Sequence, residues 1–370
     1  MFVMKTEGKV DKQLLATTLI LSGAGIVIFL SAALGFLERG TSYFSSIALK
    51  QFFFAFVPGL ILLWVFSRID YRRFRLVAVY IFIAAIILNL LLFIPHLGFG
   101  YNGAVRWFNL PGLSFQPSEL LKIASIIYFA MWLSSVKEDI KTWRLGLLPI
   151  IVIIGIVAAL CLMQKDTDTF FIIASSLFLM YFSAGGKISH IATLVVVGIL
   201  VLGAVAFSRP YVMQRIETLL DYSGNSLTTS YQIQQSLIAV GSGGISGRGL
   251  GQSIQKFGDL PEPVGDSIFA VAAEEFGFIG SVVLLGLFMF FVMRMLKIAR
   301  YADKSFGSYI VVGIASYIFI QAFVNIGAMI GLLPLSGIPL PFVSQGGTAL
   351  ILLFVEVGIV FNISRFSAVK

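Results

Sequence analysis

The stretch LPEPVGDSIFAVAAEEFGFIG, residues 260–280, sets acids against an apolar run. Glu262 and Asp266 precede Ile268, and Glu274 and Glu275 interrupt the apolar residues beyond it. A carboxylate at such a mouth has two readings. As an N-cap, Asp266 would accept hydrogen bonds from free backbone N–H groups and favour the positive end of the helix dipole. As a general base it would take a proton from a bound hydroxyl, with desolvation raising its pKa and the dipole lowering it. Residue type alone leaves both open. Glu274 and Glu275 lie about 12–14 Å deeper along a helix begun at Asp266. Glu274 falls roughly 80° around that helix from Asp266 and Glu275 roughly 180°, so Glu274 is the better candidate for the same cleft. Acids at that depth cost about 2.5–3.5 kcal/mol each and need protein or water partners. Pairing of Glu274 with a buried hydroxyl or cation is the equal alternative.

A second mouth is QPSELLK, residues 116–122. Pro117 suits a first helical turn, and Glu119 and Lys122 are spaced to pair on one face. With Arg106 and Trp107 just upstream, Lys122 offers a cation for a phosphate beside an aromatic platform for a sugar; a plain helix start explains it equally. GSGGISGRGLG (241–251) is glycine-rich, yet it lacks the Walker A order and a preceding strand. A nucleotide loop is rejected, and a flexible loop bringing Arg248 and its own backbone to a diphosphate is retained. QKDTDT (164–169) reads as a short turn with Asp166 and Asp168 solvated. Glu356 sits within the last apolar segment without an assigned role.

The elements that must carry these residues are membrane helices. Hydrophobic residues make up 58% of the 370 and charged residues 12%, with mean hydropathy +0.96; soluble domains carry roughly 25% charge. Two histidines and one cysteine exclude a disulfide framework and a Cys/His metal cluster, and His96 and His190 read as structural or interfacial. A spanning helix needs about 20 apolar residues. That ruler gives ten candidates, near 13–36, 46–67, 76–95, 117–135, 145–163, 169–184, 188–207, 266–293, 307–331 and 345–363. The first follows Lys5, Lys9 and Lys12 and reads as a retained helix, not a cleaved signal. The expected fold is an all-α polytopic membrane protein, one domain over 1–370, with a large extracytoplasmic loop over 208–265 between helices seven and eight.

The basic residues orient it. SRIDYRRFR (67–75) and RMLKIARYADK (294–304) fall on the side of the N-terminal lysines, with Lys370. By the positive-inside rule both termini are cytoplasmic. The net charge of +8 reads as topology plus contact with anionic membrane lipids, not as a nucleic-acid patch. The candidate catalytic residues then gather on the outer face.

Three ordered stretches, GAVRWFNLPGLSFQPSELLK (103–122), YQIQQSLIAVGSGGISGRGLGQSIQKFGDLPEPVGDSIFAVAAEEFGFIG (231–280) and GLLPLSGIPLPFVSQGG (331–347), resemble the SEDS family of FtsW/RodA-type proteins. The resemblance implies a peptidoglycan glycosyltransferase that polymerises lipid II outside the bacterial cytoplasmic membrane. It carries the general-base role to Asp266, acting on the acceptor's 4-hydroxyl, with undecaprenyl diphosphate leaving. It points to Trp107 and Glu119 as cavity residues; Arg106, Lys122 and Arg248 are the candidate cations, and Glu274, Ser344 and Gln345 are further candidate substrate contacts. A diphosphate leaving group needs cations more than an acid. The implied partners are lipid II, an undecaprenyl-linked glycan and a class B penicillin-binding protein. No cofactor is implied, and a divalent cation on the diphosphate is left open. KFGDLPEPVGDSIFAV is closer to FtsW-like than RodA-like members. Lys165, Asp168, Gln345 and Val105 depart from the family pattern, which weakens any carry-over to Asp166, Gln345 and Val105. A lipid II flippase and a non-catalytic division scaffold are the competing expectations.

Overall fold

The computed structural model describes residues 8–101, 104–110, 113–220 and 229–367; Lys5, Lys370 and the 221–228 part of the long loop lie outside them. Its helices are α1 (Lys12–Ala33), α2 (Thr41–Lys50), α3 (Val57–Arg68), α4 (Arg72–Leu91), α5 (Pro117–Val136), α6 (Leu148–Met163), α7 (Thr167–Ser183), α8 (Ile188–Ser208), α9 (Pro210–Leu220), α10 (Thr229–Ser242), α11 (Ile268–Arg300), α12 (Ser305–Met329) and α13 (Gly347–Arg365). A π-helical turn over 51–56 fuses α2 to α3. Among the described residues nine helical spans are long and apolar enough to cross a membrane, and α7 is a shorter apolar helix of 17 residues. The protein is a polytopic helical membrane protein, and these segments fall where the hydropathy ruler placed them. A small three-stranded sheet was not expected: β1 (Gly98–Tyr101), β2 (Ala104–Leu110) and β3 (Leu113–Phe115) pair antiparallel in that order. Gly100 permits the tight β1–β2 approach, because a Cβ there would lie 1.9 Å from the Ala104 carbonyl oxygen.

α5, α12 and α13 have the largest buried share of their spans and form the middle of the bundle. α3 packs on α13, α4 on α5, α1 on α11, and α7 on both α5 and α12. Asp11 caps α1 through Leu14 N (2.8 Å) and accepts from Arg294 Nε (2.9 Å), tying the start of α1 to the last third of α11. α8 lies at the margin, its Ile199 and Leu200 exposed, as a lipid-facing helix requires. His190 accepts or donates at Nδ1 with the Tyr181 hydroxyl, 2.9 Å away, which is the structural role expected of it.

The described part of the long connection before α11 is not a loose loop. α10 runs beside the first part of α11 in the same direction: Gln232 Nε2 donates to Ser267 Oγ (3.0 Å), and Ser242 Oγ donates to Glu274 (3.2 Å). α11 breaks at Gly277 (φ 67°, ψ −164°). The glycine stretch plugs that break. The carbonyls of Glu274 and Glu275 accept from Arg248 N and Gly249 N (both 3.0 Å), and Phe278 N and Ile279 N donate to Gly244 and Ile245 (2.9 and 3.2 Å). Backbone groups freed inside an apolar bundle must find such partners. The approach demands glycine, since a Cβ on Gly247 would lie 2.2 Å from the Glu275 oxygen. Gly243 and Gly247 are committed to helix packing.

Candidate active site

The mouth of α11 faces the starts of α5 and α7, the end of α12 and the loop over 332–346. Helix α11 begins at Ile268 with Ser267 as N-cap, and no side chain caps it. The capping reading of Asp266 therefore fails, and its carboxylate is left for other work. Its backbone is held firmly. Asn325 Nδ2 donates to the carbonyls of both Asp266 and Ile338 (2.8 Å each). Ser344 Oγ donates to the Gly265 carbonyl (2.7 Å) while accepting from Leu340 N (2.7 Å), and Gln345 N donates to the Val264 carbonyl (2.7 Å). Ser344 is buried and acts on the loop, whereas the Gln345 side chain is exposed.

Acids and cations converge on Asp266. Asp168 stands beside it: a side-chain carbon at Gly337 would lie 3.6 Å from Asp266 Oδ2 and 4.0 Å from Asp168 Oδ2. Asp168 is not solvated as expected. It accepts from Gly337 N (3.3 Å) and from Arg215 Nη1 at both oxygens (2.9 and 3.0 Å). Burial, then the negative charges of Glu262 and Asp168, push the Asp266 carboxyl up to about 7, against the pull of Arg215 and Arg106. A carboxylate poised there accepts a proton near neutral pH far better than an ordinary one.

Arg106, on β2, reaches across to the 164–166 turn. Its guanidinium donates to the carbonyls of Gln164 (3.4 Å) and Lys165 and lies 3.8 Å from Asp166 Oδ1. Asp166 is 2% exposed; it caps α7 through Thr169 N (3.3 Å) and accepts from Ser118 Oγ (3.3 Å). Its solvated reading is corrected too, because a helix start wedged between α5 and β2 gives its carboxylate protein partners instead of water. Trp107 follows on β2, half-buried and paired in register with Phe99.

Glu119 and Lys122 pair as their spacing predicts, at 2.7 Å and both buried. Lys122 also donates to Gln321 Oε1 (3.3 Å) and lies 4.7 Å from the Tyr317 ring centroid. Gln321 Nε2 in turn donates to the Pro339 carbonyl (2.8 Å), linking this pair to the loop at Gly337. The Tyr317 hydroxyl faces Glu356, so the unassigned acid of α13 closes the same buried cluster.

Glu274 and Arg248 stand apart from this convergence. Glu274 is fully buried and accepts from Ser253 Oγ (2.6 Å), Ile254 N (3.1 Å), Gln255 N (3.3 Å) and Ser242 Oγ, with Arg248 Nε 3.3 Å away. Every lone-pair direction is taken, so its chemistry is to hold the re-entering segment. Of the nominated cations the structure brings Arg106 close to Asp266 and leaves Arg248 with Glu274. Arg215, Asp168 and Asn325 are the residues that sequence reasoning missed. Arg215 lies on α9, whose signal was an amphipathic 11-residue segment directly after a span. No cluster of three metal-ligating side chains occurs among the described residues.

The chain is similar to known proteins along most of its length. The profile of the FtsW/RodA/SpoVE cell cycle proteins matches residues 12–369. Stage V sporulation protein E of Bacillus subtilis is 36% identical over 357 residues, covering 96% of this chain and 97% of that protein. A probable peptidoglycan glycosyltransferase FtsW of Geobacter metallireducens is 40% identical over 297 residues, covering 80% and 79%. Among solved structures, a chain from a peptidoglycan synthase complex described as coordinating polymerisation and crosslinking superposes with TM-score 0.79 at 25% identity, covering 96% of this chain and 98% of that one.

Proposed function

Because the chain belongs to the FtsW/RodA/SpoVE family of cell cycle proteins, we propose that it is a peptidoglycan glycosyltransferase with Asp266 as general base. The substrate is lipid II, bound with its sugars at the α11 mouth and its polyprenyl tail in the surrounding membrane. Asp266 takes the proton of the acceptor's GlcNAc 4-hydroxyl. The oxygen forms a bond to the donor's anomeric carbon from the face opposite the diphosphate, the bond to that diphosphate breaks, and undecaprenyl diphosphate departs with the electron pair. Configuration inverts, and one base suffices because the leaving group is already stable. Arg106, and Arg215 beyond the expected set, supply positive charge beside the base, while Lys122 and Glu119 wall the cavity from below. Trp107 offers the sugar platform, and Ser344 and Gln345 act through the backbone at 264–265.

The chain works as one transmembrane unit in the bacterial cytoplasmic membrane, with both termini inside and the α11 mouth outside. The basic helix ends at Arg68, Arg72, Lys137, Arg300 and Lys304, all opposite Asp266, support that orientation. Its partner is a class B penicillin-binding protein that crosslinks the strands, as the likeness to a chain of a polymerising and crosslinking complex suggests.

The observation that carries the reading is a carboxylate that caps nothing at a helix mouth, held near pH 7 between acids and cations. Its test is polymerisation of purified lipid II with the partner present, wild type against Asp266→Asn. Loss of polymer from a folded variant is the expected result. Near wild-type polymerisation would return Asp266 to a structural role and require another base, whereas no polymerisation by the wild type itself would favour a flippase centred on the buried Glu119–Lys122–Glu356 cluster.

A further inference from the structure

At the end of the bundle opposite Asp266, a cavity of about 570 Å³ opens at the seam of α4, α5 and α12. Arg72 and Arg75 come from the first turn of α4, Lys137 from the residue that ends α5, and Lys304 from the N-cap of α12. Three serine hydroxyls complete the polar lining, and among the described residues no carboxylate belongs to it. Arg75 Nη2 donates to Ser135 Oγ (3.2 Å), a neutral partner that leaves its charge uncompensated. Arg72 alone is balanced, by Asp303 at 3.3 Å. The start of α12, at Ser305, has no side-chain cap, so its first N–H groups add to the positive field.

A second polar cavity at this end, about 430 Å³, shows what compensation looks like. It also holds Lys9, Lys12, Arg294 and Arg365, yet Asp11 lies among them and takes Arg294. Among the described residues no acid lines the cavity between α4, α5 and α12, and Asp303 reaches Arg72 from outside the lining. Four cations that share one acid, Asp303 on Arg72, repel one another in a partly enclosed space, and the gathering is stable when a further anion occupies it.

The surroundings identify the anion's chemistry. Below Arg72 and Arg75, α4 continues with exposed Leu76, Val79, Tyr80, Ile83 and Ile87. These recur at helical spacing and form an apolar stripe leading away from the cations. A soluble phosphate would use only the cations, whereas a phospholipid uses both parts. We propose that this cavity binds the phosphate headgroup of an anionic phospholipid, with an acyl chain along the α4 stripe. The bound lipid staples three helices, two of which, α5 and α12, carry Lys122 and Asn325 toward the site at the other end.

The test uses the full-length protein, measuring bound lipid by native mass spectrometry and melting in nanodiscs of phosphatidylcholine with or without phosphatidylglycerol. Each cation near a charged lipid surface is worth about fivefold in affinity, so an Arg75→Gln/Lys137→Gln variant should retain phosphatidylglycerol about thirtyfold more weakly. Wild type should melt higher with phosphatidylglycerol present. The double variant should lose most of that gain yet match wild type in phosphatidylcholine alone. Lys9→Gln/Lys12→Gln, in the compensated cavity, should keep the gain. Lys304→Gln, a single surface change, is the fallback if the double variant misfolds, with about a fivefold loss expected. Equal retention by wild type and variant overturns the site. A gain reproduced by inorganic phosphate alone overturns the lipid assignment.

Discussion

Asp168 and Asp266 flank Gly337, and Asp168 is held there by Arg215 through one guanidinium nitrogen at 2.9 and 3.0 Å. Asp168 is one of the groups that raise Asp266, after burial and Glu262. The pair is a tuning device: Asp168 adds to the elevation that burial and Glu262 begin, while Arg215 opposes it.

Opposite pH shifts are expected for the two tuning residues. Asp168→Asn removes a raising charge and leaves Arg215 free to lower Asp266, so the acid limb of the polymerisation rate should move to lower pH. Arg215→Gln removes a lowering charge and should move that limb to higher pH. Rates from pH 5 to 9 on lipid II measure both. Shifts in the same direction for the two variants would remove Asp266 from the limb.

Asp266 should also cost the protein stability at working pH. Its folded pKa of about 7 stands above its ordinary 3.8, so the folded state retains a proton that the unfolded chain has lost. Stability from this group is full below about pH 4 and falls as pH rises toward 7. Three pKa units correspond to at most about 4 kcal/mol, reduced by solvent contact at a half-buried carboxyl. Asp266→Asn should therefore melt above wild type at pH 8 and with it at pH 4. Equal melting at both values would mean that the carboxyl is not raised. The same measurement confirms that the inactive variant is folded.

The spans and the Glu119–Lys122 pair were legible because both rest on local spacing, an apolar length in one case and three residues in the other. Glu274 was misplaced for a physical reason. An unbroken helix begun at Asp266 would turn Glu274 toward the cleft, but α11 starts at Ile268 and breaks at Gly277. The break left the surrounding carbonyls to the glycine segment, which covers Glu274. Arg215 and Asp168 are 47 residues apart, on α9 and in the first turn of α7, and only the tertiary fold joins them. No local pattern encodes that meeting.

Two glycines of the 241–251 segment separate packing from flexibility. At Gly247 a Cβ would press on the Glu275 and Phe276 backbone at a φ of 82°. Gly247→Ala should cost about 3 kcal/mol or more, from strain and displaced backbone together. Gly241, near the end of α10, meets nothing within 4 Å, and Gly241→Ala should gain about 0.5–1 kcal/mol of helix propensity. Thermal melts in one detergent compare them. If both variants melt alike, the glycines serve mobility and not the plug.

Lys256 and Glu275 meet at 2.7 Å with both side chains almost wholly buried. Ser31 donates to Glu275 at 2.6 Å and so brings α1 into the contact. Inside an apolar bundle each charge is tolerable only because the other is present. Lys256→Met would strand the carboxylate and Glu275→Gln would strand the ammonium, each costing about 3–5 kcal/mol. The double variant removes both charges and should cost clearly less than the sum, with a coupling of at least about 1 kcal/mol. Additive losses in a double-mutant cycle would mean that the two charges are separately solvated, by water entering beside α10. The returning segment would then be a wet loop, and the firm seat it gives the Asp266 mouth would have to come from Asn325 and Ser344 alone.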